Sequence, residues 1–80
     1  MGYSWTNKIE VVVNADSAPK VALCLTSLVH AIDIKSLQHG DDILFQIHTD
    51  ESGKEFIAFA LGVGMAIERG KGIIKKLQIN

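Results

Sequence analysis

The chain is predicted to fold in the α/β class, as an α+β two-layer sandwich with two helices over one face of a four-stranded mixed sheet. Three observations predict it. Ile9–Val13 (IEVVV) is almost wholly β-branched, which suits a pleated, half-buried strand. In Ile43–His48 (ILFQIH), Ile43, Phe45 and Ile47 alternate with Leu44, Gln46 and His48, which suits a sheet covered on one face. Two further stretches space their apolar residues three and four apart, each behind residues that cap helices.

In chain order, Ile9, Val11 and Val13 share one face of the first strand, with Glu10, Val12 and Asn14 on the other. Asn14-Ala-Asp-Ser17 breaks it, because these side chains compete for backbone hydrogen bonds. A helix is expected to begin at Ala18-Pro19, capped by Asp16 or Ser17, with proline in the first turn where it loses no bond. Val21, Leu25, Leu28, Val29 and Ile32 form its expected buried stripe. Asp33–His39 then leaves the helix, and Gly40-Asp41-Asp42 turns into the second strand, Ile43–His48.

Ser52-Gly-Lys-Glu55 has the form of a capping box, and Phe56, Ala60 and Val63 share a face of the helix that follows. Gly62 and Gly64 are read as its end, and Met65–Glu68 as a short third strand. Arg69-Gly-Lys-Gly72 is a hairpin turn with glycines available for positive φ, and Ile73–Ile79 is the last strand. The predicted order is β-α-β-α-β-β.

Residues 1–80 are read as one domain, with 1–7 as a loose N-terminal segment. An apolar fraction of 48% is enough for a core and argues against disorder. A net charge of −1 offers no general attraction to nucleic acid or anionic membrane. The longest apolar run, Phe56–Ile67, is too short to span a bilayer, and the first residues lack a signal-peptide pattern, so a cytoplasmic protein is expected. A single cysteine, Cys24, excludes an internal disulfide and any multi-cysteine metal site within one chain.

The stretch Leu37–Gly64 also resembles the second half of the TusA/SirA-like sulfur-carrier family. The matching residues are Leu37, Gly40, Asp41 and Leu44 (one residue longer than the usual spacing), then Thr49, Asp50 and Ser52, then Ile57-Ala-Phe-Ala60 and Gly64. The resemblance implies a fold like that of the C-terminal domain of translation initiation factor 3. It also implies a C-P-x-P motif where the first strand meets the first helix. The matching segment here is Ala18-Pro19-Lys20-Val21: Pro19 agrees, while alanine stands where the sulfur-bearing cysteine would be. The resemblance therefore implies a TusA-like domain without the usual carrier cysteine, a binding module for partners of sulfur-relay type. Its expected contact points are Ala18, Pro19 and Lys20.

Two alternatives stand beside that reading. Cys24 could carry sulfur itself, although Val21, Ala22, Leu23 and Leu25 around it favour a buried structural thiol. Arg69, Lys71, Lys75 and Lys76 could form a basic patch for RNA, with Tyr3 and Trp5 as the only aromatic candidates nearby in sequence. His30, His39 and His48 fall on three different predicted elements and give no local metal-ligand pair. Asp41, Asp42, Asp50 and Glu51 are explained by turns and caps. No cofactor is expected, and the chain is expected to be a monomer or a homodimer, with open sheet edges available for pairing in a dimer.

Overall fold

The computed structural model describes residues 7–79; residues 1–6 and 80, and with them Tyr3 and Trp5, lie outside the described residues. The elements are β1 (Asn7–Asn14), a 3₁₀ turn (Ala15–Ser17), α1 (Ala18–Leu25), β2 (Ala31–His39), β3 (Asp42–Thr49), α2 (Gly53–Arg69) and β4 (Ile74–Ile79). The strands lie in the order β2-β3-β1-β4. Every neighbouring pair is antiparallel. The two-layer sandwich with two helices and four strands is thus present. The predicted order and the mixed sheet are not: the chain runs β-α-β-β-α-β, two interleaved split β-α-β units.

Two local causes account for the difference. The first helix ends seven residues before Ile32. The Thr26 and Ser27 hydroxyls donate to the carbonyls of Leu23 and Cys24, at 2.7 Å each, and occupy acceptors at the end of α1. The chain is then free to run as β2, where Ile34 faces Ile47 and Leu37 faces Leu44 across the ladder. Gly40, at φ +63°, opens the two-residue turn into β3, in a conformation that glycine adopts without steric cost.

The second cause lies in α2, which runs through Gly62 and Gly64 to Arg69. Met65–Glu68 is helix, not strand. Gly62 serves packing, since a Cβ there would already touch Leu28 at 3.4 Å. The helix stops at Gly70, whose N–H donates to the Ala66 carbonyl.

The helix starts also differ in detail. Ser52 is the N-cap of α2 with an extended backbone, but its side chain makes no capping bond. Thr49 Oγ1 instead accepts from the Glu51 N–H at 3.1 Å. Gly53, at φ +60°, supplies the left-handed step into the helix. At α1, Ser17 donates to the Lys71 carbonyl at 2.8 Å and accepts from Asn14 Nδ2 at 3.0 Å. Asn14 Oδ1 accepts from the Ile73 N–H at 2.8 Å. The polar break after β1 therefore staples the α2–β4 turn to the start of α1 and does not cap the helix.

The core lies between the layers. Ile9, Val11 and Val13 of β1 and Phe45 and Ile47 of β3 meet Val21 and Leu25 of α1 and Phe59, Val63, Ala66 and Ile67 of α2, all buried. In β4 the register shifts opposite Val12 and Val13. That bulge breaks the simple alternation expected of Ile73–Ile79. Ile74, Leu77 and Ile79 instead line a narrow groove against α2. No helix among the described residues is long and apolar enough to cross a membrane. Asn7, read from sequence as part of a loose segment, begins β1, and its side chain donates to the Glu51 carbonyl at 2.8 Å.

On the open face of the sheet, Gln46 Nε2 donates to Glu10 Oε2 at 2.7 Å, and Lys8 Nζ lies 3.6 Å from the same oxygen. The Gln46 bond is the main reason the Glu10 carboxyl sits below its ordinary value of 4.5, with Lys8 assisting against partial burial. A carboxyl with a lowered folded pKa stabilises the fold above its unfolded pKa. That contribution is lost as pH falls through the folded value. Urea titrations across acidic pH should show Glu10→Gln and Gln46→Leu with a shallower loss of stability than the parent. An unchanged slope in both would remove this account.

Candidate binding groove

A concavity of about 390 Å³ lies between the α1–β2 connection and the N-terminal half of α2. Leu28 and Val29 form one wall, and Ala58, Phe59 and Gly62 form the other. Phe59 is nearly buried, while Val29 is 87% exposed. The rim is polar: Glu51 and Glu55 stand at the mouth with His30, whose Nε2 is 3.5 Å from Glu51 Oε2. That pair is a charged one only when His30 is protonated. The volume falls within the range of small-ligand clefts, and apolar walls with a few polar groups are their usual lining.

None of the predicted site residues lines this groove. The spacing of Leu28 and Val29 predicts the buried stripe of a longer first helix, but α1 ends at Leu25 and Val29 is exposed.

The predicted contact point at Ala18, Pro19 and Lys20 has a different setting. Ala18 is buried, while Pro19 and Lys20 are exposed. Ala18 and Pro19, with Ala15, Ala22, Ser36, Ile43 and Phe45, line a second, shallower groove of about 280 Å³. The 3₁₀ turn runs directly into α1 there, and Ser17 is turned away to Lys71. The Ala18 N–H donates to the Ala15 carbonyl at that junction.

Cys24 lies in the last turn of α1, half-buried, and packs against the core cluster. It does not line either groove. The basic residues divide between layers. Arg69 ends α2 and Lys71 occupies the turn at φ +64°. Lys76 faces Val12 in the ladder and lines a small depression on the open face with Glu10 and His39. Lys75 is engaged with Asp42 at 3.8 Å. Arg69 and Lys71 thus lie at the end of α2 and in the turn after it, while Lys75 and Lys76 lie on β4.

His30, His39 and His48 fall in the α1–β2 connection, at the end of β2 and on β3. Among the described residues no group of three His, Cys, Asp or Glu side chains could hold a metal ion. No family model matches the chain, and no curated protein matches it.

Proposed function

We propose that this chain is a binding module whose groove beside Val29 captures an apolar side chain of a partner protein, with a basic residue of that partner set against Glu51 and Glu55. The observation that carries the reading is Val29. It is 87% exposed on the wall of an apolar cleft, so an incoming aliphatic group would remove both surfaces from water together. The two rim carboxylates then select the charge that flanks the anchor, by complementarity and not by burial. Fold alone does not supply a function here, since the split β-α-β arrangement hosts many.

The resemblance to sulfur carriers makes proteins of the sulfur-relay type the first partners to try. It assigns no chemistry to position 18, where an alanine methyl has no nucleophile. For Cys24, partial burial against the core supports a packing role over sulfur transfer.

The test is an NMR titration of ¹⁵N-labelled protein with a short peptide carrying leucine flanked by arginine. Saturable shifts are expected at Val29, His30, Ala58 and Gly62, and Ala58→Arg should weaken binding at least roughly tenfold by filling the cleft and opposing the arginine. Shifts confined to Ala18, Ala22 and Ser36 would move the site to the other groove. The absence of saturable shifts would remove the reading. Incubation with a persulfide donor is expected to leave the native mass unchanged. One added sulfur atom that disappears in Cys24→Ala would favour a carrier instead.

A further inference from the structure

We infer that the outer face of α2 is a self-association surface, covered by the same face of a second copy packed antiparallel. Ile57, Leu61 and Met65 stand four residues apart and form one stripe on the side of the helix opposite Phe59, Val63 and Ala66. They are 62%, 66% and 58% exposed, although each is a large apolar side chain. Leu23 of the neighbouring helix is also 72% exposed.

The charges at the two ends of the stripe identify the occupant. Lys54 and Glu68 are both exposed and lie on the same side of α2 as the stripe. Fourteen residues of helix hold them about 21 Å apart, too far to pair within one copy. Leu61 is the central residue of α2. A two-fold axis through it brings Leu61 against Leu61 of the second copy and Ile57 against its Met65. The same axis sets Lys54 against Glu68 of the second copy, at both ends of the contact. One symmetry operation thus covers the whole apolar stripe and pairs opposite charges twice, as an isologous interface requires. A parallel arrangement would set lysine beside lysine and glutamate beside glutamate. The chain's net charge of −1 adds no appreciable repulsion between copies.

One helix face and its flank is a small interface, so a dissociation constant roughly in the range of tens to hundreds of micromolar is expected. Sedimentation equilibrium from low micromolar to millimolar protein should show the mass rising from one chain toward two. Leu61→Glu, at an exposed position, should hold the mass at one chain. Lys54→Glu sets glutamate against Glu68 and should weaken association roughly tenfold, and adding Glu68→Lys should restore it to within about threefold. Should Leu61→Glu fail to fold, the charge-swapped pair decides the matter alone. A single-chain mass at every concentration would overturn the inference. So would association that survives Leu61→Glu, which would point to the β4 edge, or a charge swap that fails to restore it.

Discussion

Phe45→Ala is expected to lose about 3–5 kcal/mol of folding stability, the usual range for truncating a buried aromatic ring. Phe45 is 1% exposed and stands on β3, between Val11 of β1 and Ser36 of β2 in the ladder. It therefore sits near the middle of the sheet, with the core of both helices above it. A chain of 80 residues has a total stability of roughly 4–12 kcal/mol at ordinary values per residue. The loss is thus a large share of the whole, and the variant should be substantially unfolded at ambient temperature or melt far below the parent. Urea unfolding followed by circular dichroism measures it directly. Phe45→Leu, which keeps most of the volume, should lose clearly less. A cost for Phe45→Ala below about 1.5 kcal/mol would mean that the layers do not close over this ring as described.

The alternation that places Phe45 inward was legible in the sequence, as was that of Ile9, Val11 and Val13. Period-two patterns in β1 and β3 survive because both strands are central, each flanked by two neighbours. The edge strands were harder. In β2 the register shifts between Ala31 and Asp33, and in β4 between the partners of Val12 and Val13, and each shift defeats a strict alternation count. β2 was further hidden because Leu28, Val29 and Ile32 continue the helical spacing of Val21 and Leu25. Only the hydroxyls of Thr26 and Ser27, closing on carbonyls three residues back, end the helix first. The groove inherits that difficulty, since its wall is the segment where helical spacing continues past the end of the helix. The polar staple through Asn14, Ser17 and Lys71 joins positions more than fifty residues apart and has no local signature.

Gly62, Gly64, Gly70 and Gly72 look alike in sequence but are expected to respond differently to alanine, and Gly70→Ala should be the most damaging. The backbone of Gly70 would tolerate alanine, because its φ is −81°. On conformational grounds alone the change would be neutral or would stabilise the fold by restricting the unfolded chain. Packing reverses that sign. A Cβ on Gly70 would lie 2.8 Å from both the Cα and the N of Val21, and 2.9 Å from its Cγ2. Val21 is completely buried in α1, so relief requires the helix to move away from the end of α2. Overpacking of this kind costs about 1–3 kcal/mol, and a backbone obstacle belongs at the upper end. At Gly72 the obstacles include side chains, Val21 Cγ2 at 2.8 Å and Ile67 Cγ2 at 2.9 Å. Val21→Ala should therefore rescue Gly72→Ala in part and Gly70→Ala hardly at all. Gly64 meets nothing within 4 Å inside a helix, so Gly64→Ala should stabilise by up to about 1 kcal/mol. Thermal melts of the three alanine variants and of the two Val21→Ala double variants measure all of these. Equal rescue at Gly70 and Gly72 would show that the Val21 side chain, and not the α1 backbone, limits how closely the α2–β4 turn approaches.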